Sequence, residues 1–225
     1  MIKKLLIWDI DGTLVDCGAA GRRAMDQTFK VLFGIDHAFD GIAMSGRLDR
    51  VILREAFQKH GLPERKLSNF YEHYEQILDD ILGQTEVKLY KGIVEVLNYS
   101  SAHEDMINVI STGNCEVGAW LKLKHAGIDH YFEHGGFGCG FTEREALVGY
   151  IITAMEQHYN VVFEKKDVVV IGDTPHDIVS GKHHLATTIA VLTGGYSRAD
   201  LQKYEPTYIV EDFSCINDII DMLEV

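Results

Sequence analysis

Five short apolar runs, at residues 5–8, 106–110, 168–171, 188–192 and 208–210, show no polar alternation. That is the pattern of strands covered on both faces in a parallel sheet. Segments of helical periodicity separate most of them, at residues 117–125, 146–158 and 178–184. Strand alternating with helix predicts an α/β fold, a Rossmann-like parallel sheet with helices on both faces. The first two runs stand far apart, and the chain between them reads as helix. Amphipathic patterns cover residues 20–33, 49–60 and 64–82, broken near Gly34, at Gly61-Leu62-Pro63 and at Gly83. Such a connection is too long for an ordinary crossover. The simplest division is an α/β core of residues 1–15 and 86–225, with a small α-helical domain of residues 16–85 inserted after the first strand.

A chain of 225 residues, 46% hydrophobic, can bury a core without disulfides or metals. Its four cysteines, Cys17, Cys115, Cys139 and Cys215, show no C-x-x-C spacing. They are expected as single small core residues in a reducing compartment. Lys3-Lys4 before an apolar run resembles a leader only superficially, because Asp9 and Asp11 interrupt the run at once. No stretch reaches the roughly 20 apolar residues of a membrane span, so a cytoplasmic protein is expected. A net charge of -13 argues against general nucleic-acid or anionic-membrane binding. It leaves room for a small anionic ligand if a local cation reverses the sign.

Ligands of such sheets bind beyond the carboxyl ends of the strands. The first strand runs into Asp9-Ile10-Asp11-Gly12-Thr13, the second into Ser111-Thr112-Gly113-Asn114, and the third into Gly172-Asp173-Thr174-Pro175-His176-Asp177. If these strands are neighbours, four carboxylates and a Thr hydroxyl converge at one edge. Like charges so close repel, and a hard divalent cation resolves the conflict. Oxygen donors with few nitrogens favour magnesium. In Asp-x-Asp at a breaking strand end, one carboxylate can attack phosphorus while the other gives a proton to the leaving oxygen. Thr174-Pro175 reads as N-cap and first helical residue, with Asp177 in the first turn. Thr142-Glu143-Arg144-Glu145 reads as a capping box, which puts the Arg144 guanidinium near the same edge.

Asp9–Thr13 resembles motif one of the haloacid dehalogenase superfamily, residues 109–114 its motif two, and residues 170–177 its acidic motif four. Order and strand placement match over essentially the whole chain. The helical insert resembles the cap of the first subclass, and the chain as a whole is similar to phosphoglycolate-phosphatase-like proteins. The resemblance implies a magnesium-dependent phosphomonoesterase. Asp9 would be the nucleophile that forms an aspartyl-phosphate, and Asp11 the general acid and then the base that activates water. Asp9, the backbone carbonyl of Asp11, and Asp173 would hold Mg2+, with Asp177 behind them. Thr112 and Gly113 would bind phosphate. The family's usual motif-three lysine is missing, since no lysine lies between Lys124 and Lys165. Arg144 stands at the right distance to take its role.

A β-phosphoglucomutase-type sugar phosphomutase would use the same two aspartates, and a non-catalytic phosphate-ligand sensor is a third reading. The expected partner is a small phosphate ester, with phosphoglycolate a candidate by resemblance. The oligomeric state is not legible. Arg47, in Ser45-Gly46-Arg47-Leu48-Asp49, could meet a second anionic group of the substrate; equally, Asp49 could be a plain N-cap with an exposed arginine beside it. His130 and His134 have i, i+4 spacing without a third ligand, which favours a packing or surface role. Gly194-Gly195 reads as a turn.

Overall fold

The computed structural model describes residues 3–224, so residues 1–2 and 225 of the expected core lie outside the described residues. A six-stranded sheet has the order β5-β4-β1-β6-β7-β8. Its strands are β1 (Lys4–Trp8), β4 (Met106–Thr112), β5 (His134–Phe137), β6 (Val168–Gly172), β7 (Thr187–Val191) and β8 (Tyr208–Val210), and every pairing is parallel. Residues of β1 alternate between two cores. Leu6 and Trp8 pack with Ile93, Val96, Leu97, Ala119, Leu123, Ile219 and Leu223. These come from α4 (Ile93–Ala102), α5 (Glu116–His125) and α9 (Ile216–Glu224). Leu5 and Ile7 pack with Leu147, Val148, Ile151 and Met155, all on α6 (Arg144–Tyr159). With both faces covered, every strand position profits from an apolar residue, which is why the strands read as unbroken runs.

β5 is the strand that the apolar-run pattern did not single out. Its sequence, His134-Gly135-Gly136-Phe137, has almost no side chain to show a period. Sheet packing demands that bareness: a Cβ on Gly136 would collide with Ile151 and Leu147 of α6.

Between β2 (Val15–Asp16) and β3 (Lys88–Leu89), a short antiparallel pair, lie α1 (Ala20–Phe33), α2 (Asp49–Lys59) and α3 (Leu67–Gly83). Phe29 gathers Phe39, Phe57 and Phe70 edge-on at centroid distances of 5.0–5.4 Å, an arrangement that favours aromatic pairs beyond their area burial. A single 3-10 turn, Glu64–Lys66, precedes α3, so the helical pattern seen from residue 64 is a short turn followed by the helix proper. No helix among the described residues is long and apolar enough to cross a membrane.

The cysteine expectation needs correction. The sulfurs of Cys115 and Cys139 meet as a disulfide, with Cα atoms 5.0 Å apart. β4 pairs with β5 so that Thr112 faces Phe137, and the two cysteines follow those residues on adjoining loops. Sequence spacing alone carries no trace of that register. Cys17 is buried as expected, while Cys215 is exposed.

Candidate active site

β1 lies between β4 and β6, where strand order reverses and a crevice opens at the carboxyl ends. The three strand-end motifs are therefore neighbours. After β1 the chain turns sharply: the Ile10 carbonyl accepts from Thr13, Leu14 and Val15. Gly12 adopts φ 86° there, and a Cβ on it would lie 2.5 Å from Asp173 Oδ2, so only glycine suits both the turn and the close approach. Gly194, which sequence treated as a turn residue, is pressed against the same carboxylate.

Asp9, Asp173 and Asp177 gather buried carboxylates whose oxygens lie within 4.8 Å of one another. One guanidinium serves two of them. Arg144 Nη2 donates to Asp9 Oδ1 at 2.7 Å, to Asp177 Oδ1 at 2.6 Å and to the Ser111 carbonyl at 3.2 Å. Its ion pairs are therefore with the buried carboxylates and not with its chain neighbours Glu143 and Glu145. The capping box at Thr142 is not formed either: Glu143 is the N-cap without a side-chain bond, and α6 starts at Arg144 itself. The buried carboxylates draw Arg144 inward, while Thr142 stays exposed.

Asp177 is held on both oxygens. While Oδ1 meets Arg144, Oδ2 accepts from the Thr174 amide at 3.1 Å and hydroxyl at 2.7 Å. Thr174, Pro175 and Asp177 take the expected N-cap, first-residue and first-turn places of α7 (Pro175–His183), and Thr174 and Asp177 close a capping box there. Asp173 Oδ1 accepts only a longer bond of 3.2 Å, from Thr13 Oγ1.

Burial pushes the Asp9 carboxyl up to about 7, against the pull of Arg144 and with the help of Asp177. Burial also raises Asp173 to about 8, and Asp9 and Asp177 add to the effect. Three carboxylates against one guanidinium leave a desolvated excess of negative charge. Such an all-oxygen donor set fits a hard divalent cation. Asp9 and Asp173 have carboxylate oxygens to offer it; both oxygens of Asp177 already accept hydrogen bonds.

Thr112 is buried, and its Oγ1 accepts from Asn114 N at 3.2 Å and Asn114 Nδ2 at 2.7 Å. With those bonds accepted, its own proton is free to donate. Gly113 has no room for a side chain, because a Cβ there would strike the Arg47 carbonyl.

The Asp11 carboxylate is not part of the acidic cluster. It turns to Lys122 of α5, whose Nζ lies 2.5 Å from Oδ2, and to Asn114 Nδ2 at 2.7 Å. Sequence reasoning missed Lys122. The available signal was its place on the stripe Gly118, Ala119, Lys122, Leu123, the buried face of α5, where a lysine calls for a partner. Burial pulls the Lys122 ammonium down, but Asp11, Cys17 and Asp49 together hold it above its ordinary value.

Residues of the helical insert line the site as well: Asp9, Asp11, Thr112 and Arg144 share a cavity of about 290 Å3 with Arg22, Met44, Asp49 and Tyr74. Asp49 is no plain N-cap; it is the first residue of α2, after an N-cap at Leu48. Its amide donates to the Gly113 carbonyl at 2.7 Å, and its carboxylate accepts from the Cys115 amide at 3.0 Å. Arg47 lines the same cavity, and its guanidinium meets Glu55 at 2.7 Å and the Ala43 carbonyl at 2.6 Å. His134 packs against His158 and Tyr159, as its packing reading expected.

Residues 6–191 match the haloacid dehalogenase-like hydrolase family. The chain is 26% identical to a phosphoglycolate phosphatase of Agrobacterium fabrum, over 96% of this chain and 91% of that protein. It is 29% identical to a phosphoglycolate phosphatase of Colwellia psychrerythraea, over 94% of each. The structure of CbbY from Rhodobacter sphaeroides in complex with phosphate superposes with a TM-score of 0.75, covering 100% of both chains at 15% identity, which shows the shared fold.

Proposed function

We propose that this chain, which belongs to the haloacid dehalogenase-like hydrolase family, is a magnesium-dependent phosphomonoesterase acting on a small phosphorylated metabolite through an aspartyl-phosphate on Asp9. The observation that carries the reading is the setting of Asp9. It is a buried carboxylate at the end of the central strand, pinned through one oxygen by Arg144 and set among Asp173, Asp177 and Thr112.

Pinning Oδ1 leaves Oδ2 to attack phosphorus in line. The Thr112 hydroxyl and the Arg144 guanidinium would take the phosphoryl oxygens. Asp9, the Asp11 backbone carbonyl and Asp173 would hold Mg2+, with Asp177 orienting Arg144. When bound, the cation would offset charge on the transferring phosphoryl group. As the ester bond breaks, Asp11 would give its proton to the leaving oxygen. It would then take a proton from the water that attacks the aspartyl-phosphate. Residues 16–85 would act as a cap that excludes bulk water and supplies specificity.

A cavity of about 290 Å3 stands at the bottom of the range of ligand pockets, roughly 300–1,000 Å3. It suits a short leaving group, and phosphoglycolate is the candidate that the names of the two relatives suggest. The test is phosphate release from a panel of small phosphate esters, with Mg2+ and with chelator, beside Asp9→Asn. Magnesium-dependent release that Asp9→Asn abolishes is expected. Turnover retained in Asp9→Asn would sink the nucleophile assignment. Phosphoryl transfer that appears only with a sugar bisphosphate would move the protein to the mutases.

A further inference from the structure

The proposed chemistry uses Arg144 on Asp9 but leaves the cation on the other aspartate without a role. Lys122 is 3% exposed, and a buried ammonium is costly unless it is paired and hydrogen-bonded. Its Nζ lies 2.5 Å from Asp11 Oδ2 and 2.8 Å from Asn114 Oδ1. An ammonium only donates, so the Asn114 atom facing it is the carbonyl oxygen and the amide nitrogen faces the other way. That nitrogen donates 2.7 Å to the same Asp11 oxygen, Oδ2. Both donors thus converge on one oxygen of a side chain that is still 44% exposed and lines the cavity.

We propose that Lys122, with Asn114, is the positioning residue of the acid–base step: it clamps Asp11 Oδ2 and presents Oδ1 to the reacting oxygens. This rests on the phosphomonoesterase reading above. The proton moved is the one on Oδ1. It passes to the leaving alkoxide oxygen as that oxygen's bond to phosphorus breaks. Another then returns to Oδ1 from water, as the water oxygen bonds to phosphorus and the Asp9 carboxylate departs. Lys122 keeps its own protons throughout. α5 is suited to the task because Ala119 and Leu123 fix the same helix face in the core, so the clamp is mounted on rigid structure.

A structural role for a buried lysine is the rival, and a double-mutant cycle separates the two. Lys122→Met is expected to lower kcat on an alkyl phosphate about 100-fold, the scale of a misplaced catalytic group, with little change in KM. In the Asp11→Asn background the same substitution is expected to cost less than about threefold, since there is no proton carrier left to position. The native-background loss in kcat/KM, which reports formation of the aspartyl-phosphate, should also be smaller on p-nitrophenyl phosphate, whose leaving group needs no proton, as it should be for Asp11→Asn. Circular dichroism checks the fold, and Lys122→Gln serves in the same cycle if the methionine variant does not fold. Equal losses in both backgrounds, or a near-native rate in Lys122→Met, would overturn the clamp while leaving the phosphatase standing. A native enzyme that releases phosphate from no ester would overturn both.

Discussion

Arg144 Nη2 stands 2.7 Å from Asp9 Oδ1, and that contact offsets the charge of the candidate nucleophile while occupying one of its two oxygens. The same nitrogen also meets Asp177, so removing the side chain strands two buried carboxylates at once. Arg144→Ala should destabilise the protein by about 3–5 kcal/mol, the cost of breaking a buried pair, and lower kcat about 100- to 1,000-fold. Arg144→Lys keeps the charge but cannot reproduce the planar contacts with Asp9, Asp177 and the Ser111 carbonyl, so it should recover more of the stability than of the rate. Urea unfolding and phosphate-release kinetics on the two variants check this. A near-native rate in Arg144→Ala would remove Arg144 from the chemistry.

The acidic cluster gives a second expectation, with its sign set by the direction of the shifts. Asp9 is raised to about 7 and Asp173 to about 8, both first by burial. Between the ordinary carboxylate range and those values, the folded protein binds more protons than the unfolded chain. Without a divalent cation, stability should therefore fall as pH rises through that window. Magnesium binds the ionised form and competes with those protons. Thermal melts in chelator and in excess Mg2+ should show a stabilisation by magnesium that is larger at pH 8 than at pH 5.5. An equal effect at both pH values would mean that these carboxylates are not the site.

The strands and motifs were legible because a parallel sheet imposes its pattern locally: each run is apolar on both faces and ends in the residues it delivers to the crevice. Asp9, Asp173 and Thr112 could be placed from that alone. Their partners could not. Lys122 is 111 residues from Asp11 in sequence, and the pairing exists only because β4 lies beside β1 and α5 starts from the same edge. Asp49 reaches the Cys115 amide across 66 residues, through a fold of the helical insert that helix periodicity does not specify. Arg47 does line the cavity its loop pointed to, but its partner there, Glu55, eight residues on, carried no signal in the loop motif.

Asp49 ties the insert to the core through two bonds with different chemical demands. The bond from its amide to Gly113 survives any substitution but proline, whereas the bond from the Cys115 amide needs an acceptor on the side chain. Asp49→Asn retains a carbonyl oxygen and should cost little stability. Asp49→Ala leaves a buried N–H unpaired and should cost about 1–3 kcal/mol. Because that N–H anchors the turn next to Thr112 and Asn114, Asp49→Ala should also raise KM for the phosphate ester, with Asn near native. Unfolding and kinetics on the pair of variants decide it; equal effects of Asn and Ala would show that the accepted hydrogen bond is not what matters.

The Cys115–Cys139 bond closes a segment with a sequence separation of 24. Restricting a loop of that length in the unfolded chain stabilises the folded state by about 3.5 kcal/mol on the chain-entropy account. The bond also joins the turn after β4 to the loop after β5, and each side touches α2: Asp49 accepts from the Cys115 amide, and Arg50 donates to the Cys139 carbonyl at 3.2 Å. Opening it should therefore loosen the contact of the insert with the core as well as lower global stability. In denaturant, thiol titration of the unreduced protein should find two of the four cysteines free, Cys17 and Cys215. Reductant should expose all four and shift the urea midpoint downward, and Cys139→Ser should reproduce that shift and be insensitive to reductant. Four free thiols before reduction, or a midpoint that reductant does not move, would show that the pair does not bond in solution.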